Sequence, residues 1–257
     1  MLSAHIPHNQ AHGYPLALIT GAAHRLGKAF AISLARQGFA IVLHYHTATE
    51  KLPTALNELR ALGVPVFPIQ ADLRDEAEIR SLYAIIDDLL GNSELNLTSL
   101  NVLVNSAAVM EHADAQSMTS VEFDAAISLN LRAPFLCAQL AYARMPAGGL
   151  IVNISDIAAH KNWTGYPAYT VSKAGLDALT KILARSFAPK VRVNAIAPGL
   201  ALASDDTPPE EWSRLVRRIP IQRVAALDEL GMALEFLQKN EYITGQIIVV
   251  DGGYSLI

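Results

Sequence analysis

The sequence predicts an α/β fold in which a doubly wound parallel sheet of about seven strands is flanked on both faces by helices, and three observations carry that prediction. Short apolar runs alternate with longer amphipathic stretches along the chain. The runs are dense in Val, Ile and Leu without strict polar alternation, which marks strands buried on both faces. A glycine-bearing turn separates the first run from the first amphipathic stretch, where such sheets open a ligand crevice.

Taken in order, LALIT from Leu16 leads through the turn TGAAHRLG to a helical stretch over 26–37. AIVLHY from Ala40 precedes a stretch over 48–62, and VPVFPI from Val64 one over 75–90. NVLVNS from Asn101 precedes a stretch over 119–145, and LIVNIS from Leu150 one over 167–187. VRVNAI from Val191 and QIIVV from Gln246 complete the strands. The helical lengths suit the crossovers that parallel strands require, so the elements make a Rossmann-type domain. The connection over 199–222, GLALASDDTPPEEWSRLVRRIPIQ, is long. Its prolines, followed by Glu210 and Glu211, predict a helix from about Pro208, with acids placed where the helix dipole favours them. A connection of this length reads as a substrate lid or, alternatively, as a surface excursion. Residues 1–14 read as a flexible tail and 15–257 as one domain, a size compatible with a single core.

Composition narrows the function. The 257 residues are 51% apolar with a formal net charge of −4, and Lys and Arg are scattered. No nucleic-acid or membrane partner is expected from such a pattern, and a small-molecule substrate is. Cys137, the single cysteine, lies in an apolar helical run, which excludes an intrachain disulfide and reads as a packed thiol. No apolar run approaches bilayer length and the leader lacks a signal-peptide core, so a cytoplasmic location is expected. His5, His8 and His12 fall in the leader and read as tail, with no metal site expected. Asn96-Leu97-Thr98 reads as a chance match to a glycosylation acceptor.

The turn Thr20 to Gly27 stands where backbone amides and a helix N-terminus can hold a pyrophosphate, with Gly21, Arg25, Leu26 and Gly27 as cofactor contacts. Arg25 replaces the middle glycine of the usual pattern and brings a cation to the phosphates or to the mouth of the site. After the second strand come His44, Tyr45 and His46, where an NAD-binding domain often carries an acid. An acid would repel a 2′-phosphate, whereas Arg25 and an imidazole can hydrogen-bond it, so NADPH is expected over NADH. Each histidine can equally be an ordinary strand-end residue. Asp72 and Leu73 follow the third strand on the adenine side; Asn105, Ser106 and Ala107 end the fourth, towards the nicotinamide. Asp72 and Asn105 can each also be simple turn residues.

Tyr169 and Lys173 are four apart on the helix that begins near Pro167, so they project from one face. An ammonium beside a phenol is expected to lower its pKa and give a group able to pass a proton. The segments TGAAHRLG and NSAA, then Asn130, Tyr169-x-x-x-Lys173, Pro198-Gly199 and DGGY stand in the order of the short-chain dehydrogenase/reductase family, which the chain after residue 15 resembles. The resemblance implies that Tyr169 donates a proton, that Lys173 holds the nicotinamide ribose and tunes Tyr169, and that Asn130 supports a proton-relay water. It also implies that Pro198 and Gly199 border the cofactor. Most family members have Ser thirteen residues before the Tyr; here that residue is Asp156, and Ser155 is one place off.

An ionised Asp156 at about 4 Å from a forming alkoxide would oppose it by about 4 kcal/mol at an effective dielectric near ~20. That is about three decades of rate. A C=N substrate reverses the sign, because its nitrogen must gain a proton that a carboxyl group can attract or supply. The alternative is that Ser155 takes the hydroxyl role while Asp156 caps a turn. The departures also resemble a subgroup, the pteridine reductases: Arg25 in the glycine turn, HYH, ISD and PGLALASDDTPPEEW, followed by YITG and VDGGYSL. That resemblance implies NADPH-dependent reduction of pterins or dihydrofolate by a homotetramer, with Asp156 and Tyr169 in proton transfer and Arg25 touching phosphate and substrate. Met110 falls at the place of the aromatic that stacks on the pterin, and Thr47 at that of a basic residue after HYH. Tyr166, Leu200 and Trp212 complete the expected substrate contacts, Tyr166 and Trp212 reading alternatively as lid packing. The competing functions are a 3-oxoacyl thioester or other ketone reductase using Ser155, and a non-catalytic NADPH-sensing module.

Overall fold

The computed structural model describes residues 13–203 and 207–257. The leader histidines, Asp205 and Asp206 lie outside the described residues. Seven strands, β1 (Tyr14–Ile19), β2 (Ala40–Tyr45), β3 (Val66–Gln70), β4 (Leu97–Asn105), β5 (Gly149–Ile154), β6 (Val191–Pro198) and β7 (Ile247–Val250), form one sheet in the order β3-β2-β1-β4-β5-β6-β7. Every pairing is parallel. The Val/Ile/Leu runs are buried on both faces because helices cover both. Pro68 is tolerated in β3 because that strand is an edge and pairs only with β2.

On one face α1 (Arg25–Arg36), α2 (Leu52–Arg60) and α9 (Leu227–Lys239) bury Phe30, Leu59 and Leu234 against the sheet. On the other, α3 (Glu76–Gly91), α5 (Ala133–Arg144) and α7 (Pro167–Phe187) bury Ile86, Cys137 and Leu183. Strand order reverses between β1 and β4, so their carboxyl ends open the crevice in which ligands of such sheets bind. No helix of the described residues is long and apolar enough to cross a membrane.

The structure departs from expectation in four places. The Tyr14 amide already donates to the Asn96 carbonyl at 2.7 Å, so ordered sheet begins ahead of the boundary expected at residue 15. The helix expected over 119–145 is divided into α4 (Ser120–Ile127) and α5 by a π turn over Ser128–Arg132. Pro134 cannot supply the N–H that the Asn130 carbonyl would accept in an unbroken α-helix, and the backbone widens there. The single-turn α6 (Ala158–Lys161) follows β5. Finally, α9 was not anticipated between the 199–222 connection and the last strand: Gly231 weakens its helical signature, but here that glycine admits Ser33 of α1, whose Oγ donates to the Gly231 carbonyl at 3.2 Å. The helix expected from about Pro208 is α8 (Pro209–Arg218), and it buries none of its residues.

Candidate active site

The turn after β1 is shaped for close approach. Gly21 is left-handed, with φ +65°, and Ala107 lies against it; a Cβ at Gly27 would stand 2.2 Å from the Gly21 carbonyl oxygen. Arg25 keeps the left-handed backbone of a glycine, with φ 52°, in spite of its side chain. Such a conformation costs about 1–2 kcal/mol. Its guanidinium donates to the carbonyls of Ala203 at 2.9 Å and Leu202 at 3.2 Å, so it ties the turn to the connection after β6. Leu26 is half-buried against the core.

A cleft of about 260 Å³ runs from this turn between β2 and β4, lined by Gly21, His46, Asp72, Leu73, Arg74 and Ala107 among others. A narrow glycine turn at a helix start opening onto such a cleft fits a dinucleotide. Of its two expected parts, His44 takes that of a strand-end residue. It is 2% exposed, its Nδ1 accepts from the Gly21 amide at 3.1 Å, and Nε2 lies 3.0 Å from the Ala71 carbonyl. The Nδ1 contact puts the proton on Nε2, and burial lowers the pKa to about 4. With both nitrogens used, the ring is a neutral strut under the turn rather than a phosphate ligand. His46 is half-buried, 3.9 Å from Asp72, and Tyr45 is half-buried beside it. Asp72 accepts three hydrogen bonds from the Arg74 side chain, two from Nε and one from Nη2, which hold its pKa down to about 2. Arg74 was missed in the sequence, as was His24 on the same cleft. Only the ADLR spacing, which lets Arg74 reach back to Asp72, signals the first.

The opposite end of the crevice carries the titratable groups. Pro167 starts α7, and the helix sends Tyr169, Lys173 and Asp177 inward at four-residue spacing. The Tyr169 hydroxyl donates to Asp156 Oδ2 at 2.8 Å, and the Ala158 amide donates to Oδ1 at 2.8 Å. Lys173 Nζ donates to the Ile154 carbonyl at 2.7 Å and lies 5.6 Å from the Tyr169 ring centre. Ser155 points the other way and donates to Asp177 Oδ1 at 2.5 Å.

These contacts correct the expected titration of the phenol. Burial, and then the Asp156 carboxylate, push the Tyr169 pKa well above the ordinary tyrosine value. Burial raises Asp156 too, against the opposing pull of the Ala158 amide, the Tyr169 hydroxyl and Lys173. Burial also lowers Lys173 to about 8, so its ammonium does not prevail. Two anions cannot share a buried site at hydrogen-bond distance, so phenol and carboxyl hold at least one proton between them near neutrality.

The Asn130 amide accepts from the Val109 N–H at 2.9 Å and donates to the Val109 carbonyl at 2.9 Å and Ser172 Oγ at 3.0 Å, so it locks the loop after β4 to α7. Asn105 donates to Asn153 at 2.9 Å, and the amides of Ser106 and Ala107 donate to Thr20 Oγ1 at 2.9 and 3.0 Å. Pro198 ends β6, and Gly199 donates its amide to the Val250 carbonyl at 3.0 Å, close against Asp251. Leu200 packs on Ile157, Ile219 and Tyr254, while Trp212 is half-buried on α8. Met110 is 45% exposed. Tyr166 meets His112 and Trp163 edge-on at 5.3 and 6.2 Å between ring centres, joining the loops after β4 and β5. His112 and Trp163 were not singled out in the sequence, because this meeting is tertiary.

Comparison with known proteins agrees with this arrangement. Residues 21–255 match the family model described as enoyl-(acyl carrier protein) reductase. A 3-oxoacyl-(acyl-carrier-protein) reductase FabG of Staphylococcus aureus is 33% identical over 244 residues, covering 92% of this chain and 96% of the relative. Among solved structures, FolM alternative dihydrofolate reductase 1 of Brucella canis, complexed with NADP, is 32% identical with a TM-score of 0.87, each chain covered to 96%. Its Brucella suis counterpart, also with NADP, is 32% identical with a TM-score of 0.86 over 95% of this chain and 96% of the other.

Proposed function

The chain belongs to the short-chain dehydrogenase/reductase family of oxidoreductases, and on that premise we propose that it is an NADPH-dependent pteridine reductase acting on dihydropterin or dihydrofolate. One observation carries the reading: Asp156, rather than Ser155, meets the Tyr169 hydroxyl. Sequence relatives point to 3-oxoacyl reduction and structural neighbours to dihydrofolate reduction, at nearly equal identity. The substrate must therefore be argued from the site.

A keto oxygen gains negative charge on reduction and would meet a carboxyl group already close to Tyr169. A ring C=N gains a proton on nitrogen, and a carboxyl group raised by burial and hydrogen-bonded to a phenol that keeps its proton can provide it. NADPH, when bound, supplies the hydride to the adjacent carbon. Gly21 and Gly27 would admit its pyrophosphate, and the Asp72 side of the cleft its adenosine. Lys173 would face its ribose, with Arg25 bridging phosphate and substrate. The intact Tyr169–Lys173 pair fits an enzyme better than a cofactor sensor, which needs no proton donor.

We read the protein as a cytoplasmic homotetramer. Val171 and Ile182 on α7 form one exposed apolar stripe, and Met232 and Phe236 on α9 form another. Two such faces suit two kinds of dyad contact. Steady-state NADPH oxidation with dihydrobiopterin, dihydrofolate and a 3-oxoacyl thioester tests the substrate; turnover of the thioester alone overturns the reading.

A further inference from the structure

Beneath the reacting pair lies a buried carboxylate that the proposed chemistry does not use. Asp177 sits two turns after Tyr169 on α7, with its side chain 8% exposed. Oδ1 accepts the Ser155 hydroxyl at 2.5 Å. Oδ2 is buried without a hydrogen bond and faces the His160 imidazole at 3.3 Å. Burial raises its pKa, so the fold works against the charge there. An apolar side chain would pack at lower cost, so the acceptor is held there for its contacts, with Ser155 on one oxygen and His160 facing the other.

What the Ser155 contact controls follows from strand geometry. Successive side chains leaving a strand point to opposite sides, so the orientation of Ser155 sets that of Asp156. The Ser155 amide continues the sheet by donating to the Ile196 carbonyl at 2.8 Å, fixing the backbone, and the short bond to Asp177 fixes the side chain. Asp156 then emerges on the crevice side, where Ala158 and Tyr169 hold both of its oxygens. We propose that Asp177 is a positioning residue: by capturing the Ser155 hydroxyl it withdraws that group from the substrate pocket and leaves Asp156 to face Tyr169. It thereby selects for C=N over C=O substrates. The inference rests on the Asp156–Tyr169 reading above and extends it to the residue that enforces it.

Three variants test it: Asp177→Ala, Asp177→Asn and Ser155→Ala. Loss of the anchor in Asp177→Ala or Ser155→Ala lowers kcat with dihydrobiopterin by about tenfold or more, the scale of a small misplacement of reacting groups. KM for NADPH stays within about twofold, because the cofactor cleft is untouched. The Asn variant keeps an acceptor for Ser155 and holds kcat within about threefold of wild type. Folded Ala variants with unchanged kcat, or an Asn variant as impaired as Asp177→Ala, overturn the proposal. A crystal structure of Ser155→Ala, or of Asp177→Ala if it folds, supplies an arm independent of substrate. Displacement of Asp156 from Tyr169 supports the inference; Asp156 still accepting that hydroxyl at the original distance in the variant overturns it. Absence of pterin turnover in the wild type instead counts against the proposed function, and the crystallographic arm still decides this point.

Discussion

Tyr169 and Asp156 are joined by a 2.8 Å hydrogen bond in which the phenol donates, so the shared proton lies between two groups whose pKa values are both raised. Replacing the carboxyl by a hydroxyl removes one acid and the negative charge together. Asp156→Ser should lower kcat with dihydropterin by about 10²–10⁴-fold, the usual contribution of a general acid. NADPH affinity, measured by fluorescence titration, should change less than about twofold, since Asp156 lies away from the adenosine cleft. An unimpaired variant would remove the carboxyl from the mechanism.

Tyr169→Phe removes the donor while keeping the ring. Turnover should be lost or nearly so, with NADPH binding retained. The same change deprives Asp156 of a hydrogen bond that lowers its pKa, so that pKa rises further. Any residual rate that depends on protonated Asp156 should therefore persist to higher pH than in the wild type. A pH–rate profile from pH 5 to 9 reads this directly, and a limb that moves towards acid contradicts the assignment.

Much of the fold was legible because strands buried on both faces leave unbroken apolar runs, as AIVLHY and LIVNIS do. The helix holding Gly231 was not, since its glycine makes sense only once Ser33 is seen against it. At the site, the spacing of Tyr169, Lys173 and Asp156 was readable because α7 and the end of β5 are local structures. Which of its two open readings His44 follows was not legible, because strand periodicity says which way a side chain points but not which carbonyl or amide awaits it. The polarity of the phenol shift was missed for a related reason: spacing reveals a neighbouring ammonium, but not the burial that outweighs it.

Arg25 separates stability from function. Its left-handed backbone is strained for any residue with a side chain, and Arg25→Gly relieves about 1–2 kcal/mol of that strain. The variant loses the two bonds to Leu202 and Ala203, which are exposed and worth about 0.5–1.5 kcal/mol each. The two changes roughly cancel, so the urea midpoint should hold nearly steady. KM for NADPH and for pterin should both rise, because the guanidinium is absent from the mouth. A variant that unfolds more readily but binds normally would assign Arg25 to the scaffold.

His44 gives the fold a pH dependence of predictable sign. Its folded pKa is about 4 against 6.5 for the free side chain, because burial disfavours the charged ring. Between those values the unfolded chain binds the extra proton and the folded chain does not, so stability falls as pH drops. The contribution is complete above pH 6.5 and is lost on descent through 4, amounting to roughly 3 kcal/mol at ~1.4 kcal/mol per unit. The carboxylates held to about 2, Asp72 and Glu229, act lower, from their ordinary values near 4 downward, while Asp156 and Asp177, raised by burial, act with the opposite sign and are common to wild type and variant, so the difference between the two proteins reports the imidazole. His44→Asn offers an amide oxygen in place of Nδ1 and cannot titrate. Urea unfolding of both proteins from pH 7 to 4 should show a midpoint that declines steeply in the wild type and weakly in the variant. Parallel profiles would mean that the imidazole is not the neutral strut under the Gly21 turn.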